Sequence, residues 1–140
     1  MLAVVDTNHF SELDRNPQFA AAFEERRRAC GVEAFTSIVT VQEITRGWLA
    51  LLNRVAPARE HVAAYARFQR SIEVLRDWDI LPFDSEAAGI FENLRRQRLR
   101  IGTMDLKIAA ICVAHDALLL TRNIADFEPI QGLKVENWLD

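Results

Sequence analysis

The sequence predicts an α/β fold, a parallel sheet with helices on both faces. Three observations point there. Short apolar runs recur at strand length, "LAVV" at 2–5, "AFTSIV" at 34–39, "ILPFD" at 80–84 and "ALLLT" at 117–121; such runs read as buried strands. Segments with apolar residues at helical spacing lie between them, the alternation that crossovers in a parallel sheet demand. Finally, the first run stops on Asp6, with turn-forming Thr7-Asn8 behind it. In open α/β sheets ligands bind where strands leave the sheet at their carboxyl ends.

The elements follow in order. After the first strand, Asn16-Pro17 supplies an N-cap and a proline at the first helical position, and Gly31 closes that helix after Cys30;. A second strand covers 34–39. Thr40 then caps a helix carrying Ile44, Trp48, Leu51 and Leu52, and Pro57 starts another that runs towards Trp78, so the two suggest a helical hairpin;. The third strand, 80–84, contains Pro82, which cannot donate to a ladder and confines the strand to a sheet edge;. A helix over 85–99 and a reset at Gly102-Thr103 lead to a helix over 104–115, apolar nearly all round and therefore central;. The fourth strand covers 117–121, a turn of helix 123–127, and a last strand 133–135. No repeat, low-complexity segment or linker divides the chain, and 140 residues suit one domain, 1–140;.

Composition narrows the class. Half the residues are apolar and 26% are charged, which argues against disorder;. The longest apolar stretch, 108–114, is far short of the ~20 residues that span a bilayer;. Asp6 and His9 interrupt any apolar leader, so a cytoplasmic location with no membrane partner is expected;. Cys30 and Cys112 stand apart with no Cys/His cluster, which indicates free thiols;. A formal charge of −3 does not favour nonspecific binding of nucleic acid;. Contact with a polyanion must then come from local patches or metal ions.

Four carboxylates occupy notable positions: Asp6 at the end of the first strand, Glu43 in the first turn of the helix after the second, Asp105 at the start of the buried helix, and Asp126 just beyond the fourth strand. Each has an ordinary structural explanation. Asp6 can cap a helix beginning near Asn8, and Glu43 fits a capping box over 40–43. Asp105 follows a natural cap, Thr103, and Asp126 is the third helical position after an Asn123 cap;. Together they mean more. Four carboxylates at one sheet edge repel one another and are costly to bury unpaired. A hard divalent cation relieves that cost, taking one or two carboxylates plus water and substrate phosphate.

With "VVDTN" at 4–8, "TSIVTVQEI" at 36–44, "IGTMDLKIAA" at 101–110, "LLLTRNIADF" at 118–127 and "GLKVENW" at 132–138, the chain resembles the PIN domain ribonucleases, and among them the VapC-like toxins of toxin–antitoxin pairs. The resemblance runs through the whole chain in order. It implies a three-layer α/β/α fold with a central parallel sheet of four to five strands, and Mg²⁺-dependent endoribonuclease activity, with Mn²⁺ as a substitute. It makes Asp6, Glu43, Asp105 and Asp126 the catalytic set, with Asp6, Asp105 and Asp126 holding metal. Glu43 completes the pocket and orients the attacking water, and Thr7, Asn8, Thr121 and Asn123 give support. In-line attack by metal-activated water would leave 5′-phosphate and 3′-hydroxyl ends. An RNA substrate, a cognate antitoxin docked as a helix in a groove, and a homodimer are the partners implied.

Two basic runs could hold RNA phosphates, Arg26 to Arg28 and the set Arg95, Arg96, Arg98 and Arg100; the first reads rather as a solvated helix face, and the second is the candidate RNA contact;. Arg122 admits both a phosphate contact and a place outside the site. His9 reads as a packing or helix-surface residue. Rival classes fit less well. A haloacid dehalogenase-type phosphohydrolase needs a second aspartate where Asn8 stands, and a receiver domain needs a lysine after a later strand, whereas Lys107 lies within a helix. The remaining alternative is a catalytically inactive PIN-like module that binds RNA or protein.

Overall fold

The structure, a computed structural model, describes residues 1–54 and 56–140. Its centre is one sheet of β1 (Leu2–Val5), β2 (Glu33–Ser37), β3 (Ile80–Leu81), β4 (Leu118–Leu120) and β5 (Lys134–Glu136), in the order β3-β2-β1-β4-β5. Every neighbouring pair is parallel. β1 lies in the middle and its Ala3, Val4 and Val5 are wholly buried, as a strand covered on both faces requires;. The proline-bearing run forms an edge, as expected, with Pro82 just beyond the last paired residue.

Strand alternation divides the interior in two. Val4 and Leu119 point into a core built with α5 (Ser85–Arg96) and α6 (Thr103–Ala114). Ala3, Val5, Leu118 and Leu120 point the other way, towards α1 (Thr7–Arg15), α2 (Pro17–Cys30) and the end of α4 (Ala58–Arg76). The result is an α/β/α sandwich. Each fully buried Leu or Val contributes about 1.5–3 kcal/mol. α6 is the most enclosed helix, with Leu106 and every residue from Ile108 to Cys112 buried. Both cysteines are free, and burial pushes the Cys112 thiol well above its ordinary range.

Helix punctuation largely follows the sequence. Asn16 accepts from Phe19 N–H at 3.2 Å, Pro17 opens α2, and Gly31 closes it at φ +66°, a conformation that suits glycine;. α3 (Ile38–Leu52) and α4 form the expected hairpin, tied by Trp48 Nε1 donating to Ser71 Oγ at 3.0 Å. α7 (Ile124–Phe127) is the single turn after β4. No helix among the described residues is long and apolar enough to cross a membrane.

Several boundaries differ from the sequence expectation, four of them for a readable reason. β2 ends at Ser37, not Val39, because Ser37 Oγ accepts from Thr40 N–H at 3.2 Å and performs the capping expected of Thr40. Glu43 therefore sits in the second turn of α3, and the 40–43 capping box does not form. The third strand stops at Leu81, since Asp84 Oδ1 accepts from Ala87 N–H at 3.0 Å and starts α5. α5 ends at Arg96 rather than Leu99, where Arg98 turns left-handed at φ 53°. Gly102, not Thr103, occupies the N-cap of α6, with no side-chain cap bond.

Candidate active site

The carboxyl ends of β1 and β4 meet at one edge, where Asp6 N–H donates to Leu120 O at 3.1 Å. Asp6 is the residue at which β1 gives way to α1. Its Oδ1 accepts from His9 N–H at 2.9 Å, so the aspartate does cap that helix, which begins at Thr7. That bond uses one carboxylate oxygen only. Asp6 is buried, at 6% exposure, so the remaining oxygen is held in a sheltered position;.

α3 brings in Glu43. Thr7 Oγ1 donates to Glu43 Oε1 at 2.7 Å and lies 3.2 Å from Thr40 Oγ1, so a hydroxyl from the first turn of α1 fixes the carboxylate on α3. Thr7, expected as a supporting residue, thus touches both Glu43 and Thr40, the residue expected only to cap the helix. Asn8 is exposed beside Asp6, with no side-chain hydrogen bond among the described residues.

Asp105, in the first turn of α6, shows how the acidic residues are arranged. Burial holds its carboxyl above the usual carboxylate range, and the charges of Glu43, Asp6 and Asp126 push it further the same way;. The charges of the other three carboxylates therefore reach Asp105. Asp126 is the outermost, exposed on α7. Its loop is shaped by Asn123 N–H donating to the buried Thr121 Oγ1 at 3.1 Å and by Asp126 N–H donating to Asn123 O at 3.1 Å.

The donors fit a hard divalent cation. They are carboxylate oxygens that repel one another, and added positive charge removes the repulsion. Among the described residues no three acidic, histidine or cysteine side chains are close enough to grip an ion unaided. Mg²⁺ is suited to such an open arrangement, because it keeps several waters and uses one or two carboxylates.

The two basic runs separate clearly. Arg27 forks onto Glu24 at 2.8 Å and 2.5 Å and donates to Val32 O, Arg28 reaches Glu24 at 3.1 Å, and Arg26 lies 3.7 Å from Glu136. The first run is neutralised by its own surroundings. In the second, Arg95 pairs with Glu92 at 2.8 Å, while Arg96, Arg98 and Arg100 are exposed and form no ion pair among the described residues. Arg122 lies 3.9 Å from Asp140.

Comparison with known proteins agrees with the geometry. The family model described as "PIN domain" matches residues 3–130. Ribonuclease VapC1 of Rickettsia felis is 34% identical over 109 residues, covering 74% of this chain and 75% of that protein. Among solved structures, VapBC-1 from nontypeable Haemophilus influenzae superposes with a TM-score of 0.72 at 23% identity over 100% of both chains. VapBC2 from Rickettsia felis, solved bound to a DNA fragment from its promoter, gives 0.70 at 22% identity over 99% of each. The match across 3–130, on a five-stranded parallel sheet, places the chain in the PIN domain family.

Proposed function

We propose that the chain is a Mg²⁺-dependent endoribonuclease, the toxin of a toxin–antitoxin pair, acting in the cytoplasm as a single domain over 1–140. The observation that carries this reading is the 2.7 Å hydrogen bond from Thr7, the residue after Asp6, to Glu43, which brings a carboxylate of α3 to the edge where β1 ends on Asp6. The ribonuclease name of the Rickettsia relative and the VapBC complexes among the structural neighbours support it. By the same reasoning a cognate antitoxin and a second copy of the chain are its protein partners.

Asp6 and Asp105 would hold the cation, with Asp126 as an outer ligand, and Mn²⁺ would substitute. When bound, the ion supplies positive charge at the scissile phosphate and makes a nearby water more acidic. Glu43 has Oε1 occupied by the Thr7 hydroxyl, which leaves Oε2 to accept a proton from the attacking water. Thr121 and Asn123 hold the loop that presents Asp126. The unpaired Arg96, Arg98 and Arg100 hold backbone phosphates of the bound strand, with Arg95 beside them. Water adds to phosphorus, the P–O3′ bond breaks, and the products carry 5′-phosphate and 3′-hydroxyl ends.

The test is cleavage of a mixed tRNA and ribosomal RNA pool by purified, antitoxin-free protein. Discrete cutting is expected with Mg²⁺, and none with EDTA or with Asp6→Asn or Asp105→Asn. Folded wild type that cuts nothing in Mg²⁺ would favour the inactive binding module instead.

A further inference from the structure

Among the buried polar side chains that the mechanism does not use, His9 lies beside Asp6. His9 is wholly buried on α1, one turn beyond Asp6. Its Nε2 lies 3.3 Å from the backbone nitrogen of Trp138, 129 residues away in sequence, which donates to it. A backbone N–H can only donate, so Nε2 must present its lone pair and the ring proton must be on Nδ1. Nδ1 stands 3.3 Å from Asp6 Oδ1. The pair does not form a hydrogen bond, and Nδ1 has no hydrogen-bond partner among the described residues. A buried donor without a partner is costly, and the Asp6 carboxylate is the acceptor beside it.

The C-terminal segment that selects this tautomer is firmly seated. The Trp138 ring packs against Phe23 at 5.2 Å, and the Arg26 guanidinium covers it at 4.5 Å. Both hydrogens available to Asp6, from His9 N and His9 Nδ1, lie on the Oδ1 side, and no hydrogen bond among the described residues falls on Oδ2.

We infer that His9 is a positioning residue for Asp6: held as the Nδ1–H tautomer by the Trp138 backbone, it turns Oδ1 inward and presents Oδ2 to the divalent cation. This rests on the proposal that Asp6 binds the ion. It extends that proposal by coupling the C-terminal segment to the metal site through one imidazole. Partners that orient a metal-binding side chain typically affect affinity by about 10–100-fold.

Two substitutions divide the ring's functions. His9→Asn keeps a donor near the Nδ1 position and loses the acceptor for Trp138, whereas His9→Gln keeps an acceptor near Nε2 and loses the donor to Asp6. Mn²⁺ affinity is measured by electron paramagnetic resonance on metal-free wild type, both variants and Asp6→Asn, with a thermal melt of each. Mn²⁺ binding about tenfold weaker in His9→Gln, and close to wild type in His9→Asn, is expected. Equal affinity in His9→Gln and wild type, or a loss that follows the melting temperature in both variants, overturns the inference while leaving the metal site intact. Wild type that does not bind Mn²⁺, or Asp6→Asn that binds it unchanged, overturns the metal reading and this inference together. Should neither variant fold, long-range proton–nitrogen correlation on the wild-type imidazole decides: a proton on Nδ1 is expected, and a proton on Nε2 overturns the assignment.

Discussion

At the scale of single residues, Asp105 sets the site against the fold. A carboxyl whose folded-state pKa is raised binds its proton more tightly in the native state than in the unfolded one. Its contribution to stability is therefore complete at low pH and is lost as the pH rises from the ordinary carboxylate range through the raised folded-state value. With EDTA present, the melting temperature should carry a component that falls over that window. Mg²⁺ should remove most of it, because an ion that binds only the native state adds stability where the carboxylate is ionised. Asp105→Asn should melt a few degrees higher than wild type at neutral pH in EDTA, while losing cleavage. A variant that melts lower would mean that the three neighbouring carboxylates do not strain the metal-free fold. Asp6, Asp105 and Asp126 stand out in the sequence because each lies next to a strand end or a helix start, whereas Glu43 lies a turn further into its helix. His9 does not stand out, since its partner is a backbone N–H at the far end of the chain.

Among the elements, the β2–α3 junction positions Glu43 and was the least legible. Residues 36–41, "TSIVTV", combine three β-branched apolar side chains with three small hydroxyls, so strand and helix readings overlap and two caps compete;. The tertiary contact decides it, because Thr40 Oγ1 must reach Thr7 Oγ1 and so belongs inside the helix. Ser37→Ala removes the cap that is used and should lower stability by about 1 kcal/mol, seen in urea denaturation as a lower midpoint with an unchanged slope. Thr40→Ala retains the cap, so its larger effect should be on cleavage, through the freedom it gives Thr7 and Glu43. The strand order was readable only in part. Alternation of strands and helices gives a parallel sheet, but the β3-β2-β1-β4-β5 sequence depends on pairings between distant segments;.

For the whole molecule, the proposed ribonuclease activity requires a chain of net charge −3 with an acidic mouth to attract RNA. Long-range attraction is absent, so a few unpaired cations must supply the phosphate contacts. The sequence points to the second basic run rather than the first, and Glu24, three and four residues before Arg27 and Arg28, pairs with both on the helix surface;. Glu92 stands at the same spacing before Arg95 and Arg96 but pairs with Arg95 alone, and Arg96, Arg98 and Arg100 form no ion pair among the described residues. On an Asp105→Asn background, which prevents cleavage, RNA binding measured against salt should separate the two runs. Each phosphate contact on a single strand contributes about 0.7 to the slope of log affinity against log salt. Replacing Arg96, Arg98 and Arg100 with alanine should reduce that slope by about 2. Replacing Arg26 and Arg28, which are already paired with Glu136 and Glu24, should leave it nearly unchanged. The opposite ranking would place the RNA across α2 and the C-terminal segment, far from the turn that α5 and α6 share.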